Sequence, residues 1–485
     1  MSSATTLSTL EPAFADLCQR VLAAHPCEAG RFVVARSPAA ADVMGGIAED
    51  SGSLVLTTSL ALAVVTSLWH ADGDQVHLLR IEEADASPGN HGNGSPREVR
   101  LPLSCLDPRT VNAEQLMAAC RDHGAEWAAT ACLTLRQAVA DGVVSRLDRG
   151  LVMLTHSPFP ADVDLGRLWV EAAATIDGLC RLHNLKVDRL RKSRICADAV
   201  LSLTGLYNLR TPMTALCAPP EGGLLQLRFH PQLLCQPLEL PPGVAIRAVG
   251  TRLSRPTTPQ RLRDTRLCAE MGRRMILDLQ QQDGLRLDPA TARLAAITPA
   301  EYVERYRDRL PSKITGKAFA ARFGTIRGLT TEPAPASTYK VRSRAEHYIY
   351  ENRRVHEFAT CMARARRSNS MEPLIAAGEL MYASHWSHSQ RCGIGGVEAD
   401  QLVTAVRRFG PEAGLFGAKV TAGGGGGELV VLMRSDDRAE AALSEVVGQI
   451  RAATQRPVHT FGGPMPGAEF FELPRPREVA EAAAG

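Results

Sequence analysis

The sequence predicts an α+β protein of two packed domains. Strand-like and helix-like segments alternate in both halves of the chain, and helices dominate its middle. The 485 residues are enough for two or three domains, and 45% of them are hydrophobic, which is enough to fill a substantial core. Residues 1–28 and 474–485 are expected to form a leader and a tail that carry no chemistry.

The first half contains most of the predicted strands. Residues 31–36 (RFVVAR) predict a strand, and residues 54–68 predict a strand followed by a second apolar element. Residues 84–100 are polar and rich in Gly, Pro, Ser and Asn, which indicates a surface excursion between two strands. The other predictions here are helices over residues 113–123, 127–140, 168–183 and 190–204, a strand from Leu151, and a turn at Pro212.

The second half is mostly helical and ends in a second strand region. Short strands over residues 224–229 and 245–249 suggest a sheet. Helices are predicted over residues 261–282, 300–307, 348–366 and 371–388. The last part is predicted as a strand (FGAKVTA), a run of glycines, a second strand (ELVVLM) and a helix over residues 438–454.

Composition excludes several classes of protein. The 55 Lys and Arg residues nearly balance the 52 Asp and Glu residues, so the net charge is +3 and is spread along the chain. A protein that binds nucleic acid mainly through phosphates needs a concentrated basic face, and aromatic residues at 5% are too few for a base-stacking platform. We expect no nucleic-acid partner.

Cysteine usage and the N-terminus indicate a cytoplasmic protein. The twelve cysteines include no Cys-x-x-Cys pair, which indicates reduced thiols rather than a zinc site or a disulfide framework. Glu11 and Asp16 lie where a signal peptide would be basic or apolar. The most apolar stretch, residues 54–69, is shorter than the about 20 residues that span a bilayer, so we expect no membrane segment.

A glycine run is the strongest local signal. Gly423, Gly424, Gly425, Gly426 and Gly427 separate two predicted strands, and Lys419 and Thr421 precede them. Successive glycines let backbone N–H groups point into a concave turn without any Cβ in the way. The run therefore suits a phosphate or sugar cradle, and a flexible hairpin connection is the equally valid alternative.

A second signal is the segment ADVMGGIAEDSGS, residues 41–53. It contains the pair Gly45 and Gly46 beside three carboxylates, those of Asp42, Glu49 and Asp50. Carboxylates on a glycine-rich turn can accept hydrogen bonds from the hydroxyls of a polyol. A solvated acidic turn is the alternative interpretation, and the segment alone favours it.

Together these stretches resemble the GHMP kinases, the galactokinase-like superfamily, and most closely its L-arabinokinase branch. SPAAADVMGGIAEDSGSLVL resembles the first motif of that superfamily. The similarity extends over most of the chain, in the order and spacing of the branch. The other matching segments are LPSKITGKAFAARFG, YENRRV, AAGELMYASHWSHSQRCGIGG, GLFGAKVTAGGGGG and GAEFFEL.

The resemblance implies a fold, a reaction and a site. It implies a GHMP N-terminal-like domain over residues 29–250 and a C-terminal-like domain over residues 251–473, with a ligand cleft between them. In that cleft ATP, with Mg²⁺, phosphorylates a hydroxyl, commonly the anomeric one, of a small sugar or cyclitol. It assigns Asp42, Gly45, Gly46, Glu49 and Asp50 to substrate. It assigns Lys419, Thr421 and the five glycines to phosphate.

Three expected groups are changed in this chain. Ala40 stands where the family has the arginine of its first motif. Residues 163–168 (VDLGRL) replace the serine-rich phosphate loop, so that Asp164 brings a negative charge and Leu165 offers no hydroxyl. Arg167 could compensate in part, but a surface arginine is the commoner explanation. Thr214 replaces the aspartate base, and threonine cannot act as a base near neutral pH.

Two other groups of residues attract attention. His385 and His388 lie at i and i+3 on one predicted helix, where they could bind a metal, but packed core histidines are the better interpretation. Arg353 and Arg354 follow Glu351 at helical spacing, which is typical of a solvated face with ion pairs.

Three functions remain open from the sequence. The first is a sugar or cyclitol kinase with a remodelled nucleotide site. The second is a catalytically inactive pseudokinase that binds a sugar or sugar phosphate in a regulatory or scaffolding role. The third is a GHMP fold that performs another reaction on a sugar phosphate. The joint loss of the arginine, the serine-rich loop and the aspartate favours the second and third. The usual activity of the family favours the first, so we predict a sugar or cyclitol kinase-like phosphotransferase with a strongly altered ATP site and keep the other two functions as alternatives.

Overall fold

The computed structural model describes residues 32–82, 97–160, 162–219, 222–254, 257–285, 288, 292–324, 332–368, 370–421 and 427–472. The predicted leader and tail, most of the polar excursion and Gly423 to Gly426 lie outside these residues. The strands are β1 Phe32–Met44, β2 Val55–Ala71, β3 Gln75–Glu82, β4 Arg97–Pro102, β5 Gly150–Ser157, β6 Leu224–Arg228, β7 Leu234–Leu238, β8 Val244–Thr251, β9 Ile314–Thr315, β10 Thr338–Tyr339, β11 Leu415–Val420, β12 Glu428–Arg434, β13 Val458–Phe461 and β14 Glu469–Glu472.

The helices dominate the middle of the chain, as the sequence predicts. They are α1 Ala113–Asp122, α2 Ala129–Ala140, α3 Arg167–Leu182, α4 Arg189–Thr204, α5 Arg210–Cys217, α6 Pro259–Gln282, α7 Gly316–Phe323, α8 Val341–Arg367, α9 Glu372–Trp386, α10 Val397–Phe409 and α11 Asp437–Thr454. A short helical segment, Pro299–Glu301 followed by Tyr302–Tyr306, fills the predicted helix at 300–307.

Side-chain caps explain where several helices begin. The Asp188 carboxylate accepts a hydrogen bond from the Arg191 amide at the start of α4. The Thr258 hydroxyl accepts a hydrogen bond from the Arg261 amide at the start of α6, and the Asp436 carboxylate accepts one from the Ala439 amide at the start of α11. Each cap satisfies an amide that has no partner inside its own helix.

The eight-stranded sheet is built around β2. Its strand order is β14-β1-β2-β5-β3-β4, and β6 and β7 extend it from the other end of β2. The 17-residue β2 pairs with β1 along most of its length, with β5 over Val65–Ala71 and with β6 over Val55–Thr57. The prediction of a strand plus a separate apolar element at residues 54–68 is therefore wrong. β1 pairs with most of β2 on one side, and β5 and β6 pair with its two ends on the other side, so residues 55–71 form one strand.

β1 is also longer than predicted. It continues from Phe32 to Met44 with register shifts after Pro38 and Asp42, so the first part of the glycine-rich segment is strand rather than turn. Helices α3 and α5 pack on β1 and β2. The predicted turn at Pro212 is wrong, because Pro212 lies in the first turn of α5, where its missing N–H has no helical acceptor to lose.

The second sheet has the order β11-β12-β8-β13, and all its pairs are antiparallel. Helices α10 and α11 share a hydrophobic core with its strands. Helix α9 approaches β11 so closely that a Cβ on Gly378 would overlap the carbonyl oxygen of Phe416. Only glycine permits this approach, which places β11 directly against the helix.

The order of the strands along the chain does not follow the division into two sheets. β8 ends at Thr251 and lies in the second sheet, so the predicted boundary at residue 250 falls inside a strand. β14, from the far end of the described chain, pairs with β1 in the first sheet. The division at residue 250 stays a prediction.

Within the residues listed above, none of the helices combines the length and the apolar character needed to cross a bilayer.

Candidate functional site

The glycine-rich first motif turns sharply after β1. Gly46–Ser51 form a short 3-10 helix that follows Gly45, whose φ is +98°. A Cβ on Gly45 would lie 2.7 Å from Cγ1 of Val55 and 2.9 Å from the carbonyl oxygen of Leu54. Glycine is therefore required there by both backbone angle and space. The turn brings Glu49 back toward Asp42.

A buried arginine joins these two carboxylates. Arg210, the first residue of α5, donates from Nε to Oδ1 of Asp42 at 2.7 Å and from Nη1 to Oε1 of Glu49 at 2.8 Å. Arg210 is only 1% exposed, and Asp42 and Glu49 are each 3% exposed. The structure therefore places two of the predicted substrate residues together, around a guanidinium that the sequence analysis did not identify.

The charges in this group depend on one another. Burial raises the pKa of Glu49 to about 7, while the positive charge of Arg210 opposes that rise. Burial alone would lower the pKa of Arg210, but Asp42 and Glu49 hold it above its usual value. Oδ2 of Asp42 and Oε2 of Glu49 are buried and accept no hydrogen bond. Each carboxylate therefore keeps one oxygen available.

Asp50 is separate from this group. Its Oδ2 lies 2.9 Å from Nε of Arg266, and its side chain is 38% exposed. The same Arg266 guanidinium lies 3.8 Å from Glu49, so it adds positive charge at the edge of the buried group. Asp50 is a partly solvated ion-pair partner in this structure.

Ala40 and Thr214, which stand where the family has its arginine and its aspartate, are both packed in the core. Ala40 is 5% exposed and pairs with Ser59 in the β1–β2 ladder. The Thr214 hydroxyl donates to the carbonyl oxygen of Arg210 and lies 2.7 Å from the Thr57 hydroxyl. Thr214 is fully buried, and its hydroxyl cannot act as a general base near neutral pH.

Glu351 connects α8 to the first motif. Its Oε1 accepts a hydrogen bond from the Gly45 amide at 3.2 Å and from the Ser384 hydroxyl at 2.5 Å, and its Oε2 accepts one from Arg354 at 2.9 Å. Burial alone would raise the pKa of Glu351, but Arg354 and neighbouring histidines hold it below its usual range. The predicted solvated face is wrong for Glu351, which is completely buried.

The third motif is retained where the structure describes it. The Thr421 hydroxyl accepts a hydrogen bond from the Asp42 amide at 2.7 Å, which links β11 to β1. Lys419 is fully buried, and its Nζ donates to the carbonyl oxygen of Val420. Burial lowers the pKa of Lys419. Gly423 to Gly426 lie outside the described residues, and Gly427 packs against the carbonyl of Thr251.

A pocket of about 760 Å³ lies beside the second and third motifs. The N-terminal end of α3 forms one wall, and Thr251 to Ser254 after β8 form another. The lining residues are Asp162, Val163, Asp164, Arg167, Leu168, Thr251, Arg252, Leu253, Ser254, Gly427, Glu428, Gln455, Arg456 and Pro457. Thr421 connects this pocket to the buried acid pair, since its amide donates to the carbonyl oxygen of Glu428.

A carboxylate of the protein occupies the loop of the second motif. Oε1 of Glu428 accepts a hydrogen bond from the Asp164 amide at 2.8 Å. Glu428 is 3% exposed, and its Oε2 is buried without a hydrogen bond. Burial, with help from the Asp164 charge, raises the pKa of Glu428 to about 7. Leu165 has φ of +36°, so the loop keeps a left-handed turn without glycine at that position.

Comparisons with known proteins agree on the fold. The chain is 26% identical to the L-arabinokinase of Arabidopsis thaliana over 90% of this chain and 46% of that protein. The chain thus spans about half the length of the curated relative it matches. The crystal structure of Lactococcus lactis galactokinase complexed with galactose superposes with a TM-score of 0.68 at 17% identity, over 94% of this chain and 99% of that one.

A more distant structure supports the same architecture. The Methanococcus jannaschii mevalonate kinase superposes with a TM-score of 0.53 at 13% identity, over 90% of this chain and 99% of that one. No family model matches the chain. The chain has the GHMP kinase fold. The resemblance to galactokinase-like and arabinokinase-like proteins, and the predicted α+β fold class, are confirmed.

The loop that stands in place of the expected serine-rich motif is bonded to a carboxylate of the protein, because the Asp164 amide donates to Glu428. The pocket is lined by three acidic residues, Asp162, Asp164 and Glu428, and by three arginines, Arg167, Arg252 and Arg456, so charges of both signs face its interior. Among the described residues, no group of three or more His, Cys, Asp or Glu side chains could hold a metal ion.

The two histidines singled out in the sequence are packed in the core of the GHMP fold. His385 is fully buried, its Nδ1 accepts a hydrogen bond from the Val420 amide, and its Nε2 lies 3.1 Å from Asp400. His388 is also fully buried and bonds through Nδ1 to the Ser384 carbonyl oxygen. Each ring has its own protein partner, as expected of core histidines.

Sequence reasoning missed three residues that define this GHMP-type site. Arg210 lies one helical turn before Thr214, inside a segment that resembles a known motif, so its charge was visible there. Glu428 directly follows the glycine run, at a position that begins a buried strand. Glu351 lies in YENRRV, one of the segments that resemble the L-arabinokinase branch, but its spacing from Arg354 is the same for a buried pair and for an exposed one, so its role was not recognised.

Replacement of Arg210 by methionine is expected to destabilise the protein by about 3 to 5 kcal/mol, because it leaves two buried carboxylates without a partner. Urea unfolding gives the free energy of unfolding. The triple variant Arg210→Met, Asp42→Asn, Glu49→Gln should recover most of the loss. Arg353→Met, which removes an exposed ion pair with Glu357, should cost less than about 1 kcal/mol. An Arg210→Met loss as small as that of the control would contradict the analysis.

Glu428→Gln is expected to change the pH dependence of stability. The pKa of Glu428 is raised in the folded state, so the folded protein binds more protons than the unfolded chain between about pH 4.5 and 7. The free energy of unfolding of the wild type therefore falls as the pH rises through that range. Glutamine still accepts from the Asp164 amide and does not titrate. The variant should therefore gain about 1 to 3 kcal/mol over wild type between pH 4.5 and pH 8. A difference between the two proteins that stays constant with pH, measured by urea unfolding, would show that Glu428 is ionised throughout.

Proposed function

We propose that this protein binds a small sugar, cyclitol or sugar phosphate and does not transfer phosphate to it. The observation that carries the proposal is the hydrogen bond from the Asp164 amide to the Glu428 carboxylate. A carboxylate of the protein thus takes the place that an anionic ligand would take at the second motif. Binding of a phosphate at this amide would require the loop to release Glu428, and so would break a buried hydrogen bond of the protein.

The groups that would assist phosphoryl transfer are also replaced. Phosphoryl transfer depends on positioned positive charge and on a residue that orients or deprotonates the attacking hydroxyl. Ala40 supplies no charge, and the hydroxyl of Thr214 is engaged in hydrogen bonds inside the core. Loss of a transition-state contact typically lowers turnover by a factor of about 100 to 1000. The combined loss favours a protein without kinase activity.

The sugar side of the site supports ligand binding. Oδ2 of Asp42 and Oε2 of Glu49 are buried without a hydrogen-bond partner in the protein, and Arg210 fixes the orientation of both carboxyl groups. Free carboxylate oxygens of this kind suit the hydroxyls of a polyol. The relation in sequence to an L-arabinokinase makes a sugar the natural ligand class. We also place this activity in the cytoplasm, where the free thiols of the described cysteines would stay reduced.

A working sugar kinase, with ATP and Mg²⁺ as cofactors, is the second candidate. It is favoured by the retained third motif, in which Thr421 binds the Asp42 amide and Lys419 is held in the core of the site. In addition, Arg210 sets a guanidinium beside a first-motif carboxylate, although from α5 rather than from β1. The two candidates differ in a single measurable property, which is protein-dependent turnover of ATP.

Turnover of Mg-ATP is the direct test. With a panel of pentoses, hexoses, uronic acids and cyclitols, we expect formation of ADP and of phosphorylated sugar to stay at the level without protein. Ala40→Arg alone should not restore activity, since Glu428 still occupies the second-motif loop. The assay follows ADP by coupled enzymes and products by mass spectrometry. Sugar-dependent turnover by wild type or by Ala40→Arg, scaling with protein concentration, would establish the kinase instead.

Binding is tested separately by thermal shift. A ligand that binds only the folded state raises the melting temperature. We expect a rise with at least one sugar, cyclitol or sugar phosphate and none with Mg-ATP. Glu49→Gln should weaken that binding at least about tenfold, whereas Glu412→Gln, at an exposed position away from the motifs, should not. A rise with Mg-ATP alone, or equal affinity of both variants, would contradict the proposed site.

A further inference from the structure

The pocket of about 760 Å³ beside the second motif is separate from the proposed sugar site. Among the described residues, the buried group of Asp42, Glu49 and Arg210 does not line it. Its volume lies in the range of about 300 to 1000 Å³ that is typical of sites for small organic molecules. A ligand in this pocket would therefore occupy a place of its own, whether or not a sugar is bound.

One side of the pocket is acidic. Asp162 and Asp164 lie at the second motif, and Glu428 joins them because its Oε1 accepts the Asp164 amide at 2.8 Å. Oδ1 of Asp162 lies 3.2 Å from Nε2 of His459. Within the described residues, Oδ2 of Asp162 and Oε2 of Glu428 are buried and accept no hydrogen bond. Carboxylate oxygens in this state favour a ligand that brings N–H groups.

Another side of the pocket carries arginines. Arg252 follows β8 and Arg456 follows α11, and Nη1 of Arg456 donates to the carbonyl oxygen of Arg252 at 3.1 Å, which holds the two segments together. Arg456 also lies 3.5 Å from Oε1 of Glu398. By contrast, the guanidinium groups of the exposed Arg252 and the half-buried Arg167 have neither an ion pair nor a hydrogen bond to any described residue. A guanidinium group in this state suits a carboxylate or a phosphate, which it can bind with two parallel hydrogen bonds.

We propose that this pocket binds a small zwitterion, whose ammonium group faces Asp162 and Glu428 and whose carboxylate or phosphate group faces Arg167 and Arg252. The ligand thereby supplies the donors that the two carboxylates lack and the acceptors that the two guanidinium groups lack. α-Amino acids, short peptides and aminoalkyl phosphates all have this chemistry. The proposal adds a second ligand to the protein and does not depend on which sugar the first motif binds.

A ligand with charge of a single sign fits this pocket less well. A simple anion is attracted by the arginines and repelled by the three carboxylates, and for a simple amine the two effects are exchanged. A zwitterion is attracted at both ends. Within the described part of the chain the carboxylates also do not belong to a metal centre, since no group of three or more His, Cys, Asp or Glu side chains could hold a metal ion.

Calorimetric titration of the full-length protein tests the proposal. The probes are the twenty common α-amino acids, glycylglycine and phosphoethanolamine, and Mg-ATP is titrated beside them. For the zwitterion that binds most tightly, the N-acetyl derivative lacks the ammonium charge and the parent amine lacks the anionic group. We expect each derivative to bind at least about tenfold more weakly than the zwitterion, because each leaves one set of charges unpaired.

The order of the affinities decides the chemistry of the ligand. Tighter binding of an α-amino acid or of glycylglycine identifies the anionic group as a carboxylate, and tighter binding of phosphoethanolamine identifies it as a phosphate. Three results would overturn the proposal: no binding of any zwitterion, equal binding of the zwitterion and its derivatives, or tighter binding of Mg-ATP than of every zwitterion.

Single substitutions locate the ligand in the pocket. Arg252→Gln should weaken binding of the zwitterion at least about tenfold and leave binding of the parent amine unchanged. Glu428→Gln should weaken binding of the zwitterion and leave binding of the N-acetyl derivative unchanged. The matched control is Arg438→Gln, because Arg438 on α11 is exposed and, among the described residues, does not line the pocket.

The control also separates binding from stability. The guanidinium of Arg252 has no described partner, so Arg252→Gln and Arg438→Gln should melt at the same temperature as the wild type. Equal affinity of these two variants for the zwitterion would overturn the proposed position of the ligand. Sugar titrations use none of these probes, so a failure of the zwitterion site and a failure of the proposed sugar site give different results.

Discussion

The placement of one guanidinium between two buried carboxylates constrains the whole centre of the molecule. Charges removed from water must be paired with good geometry, or the folded state loses several kcal/mol. Arg210 can reach Asp42 and Glu49 only if α5 packs on β1 and β2 and if Gly45 turns the chain back after β1. The same stretch of β1 is held by Thr421 at the Asp42 amide and by Glu351 at the Gly45 amide. Elements from three separate parts of the sequence therefore meet on one short segment.

The chain shares the fold of the solved galactokinase and mevalonate kinase structures, and its second-motif loop is built from different residues than the family motif. The second-motif loop keeps its left-handed turn at Leu165 and Gly166, although a leucine with positive φ costs of order 1 kcal/mol and offers no ligand group. Glu428 accepts the Asp164 amide of this loop, and Arg210 pairs with the first-motif carboxylates, so in both motifs these groups have partners within the protein.

Much of the fold could be predicted from the sequence because it depends on local patterns. The long helices α3, α6 and α11 and the strands β6 and β12 follow hydrophobic periodicity and were predicted within a few residues. Pro212 misled the analysis, because proline marks a turn in one context and is tolerated in the first turn of a helix in another. β2 was divided in two because its partners change along its length, and a single sequence does not contain that information.

The site itself depended on contacts between distant positions. The motifs correctly directed attention to Asp42 and Glu49, but the partner of both comes from α5, and only the folded chain shows which charge reaches them. Glu351 and Arg354 have the spacing of an ordinary helical ion pair, and burial alone distinguishes them from one. The motifs therefore identified Asp42 and Glu49, and the roles of their partners from distant parts of the chain became visible only in the folded structure.

The pairing of β1 with β14 has a consequence for the order of synthesis. A ribosome that adds about 5 to 20 residues per second needs roughly 20 to 90 s to pass from the end of β1 to β14. During that interval one edge of β1 has no partner strand, and an unpaired edge can associate with other chains. The edge of β1 therefore stays available to other chains until β14 has been synthesised and has paired with it.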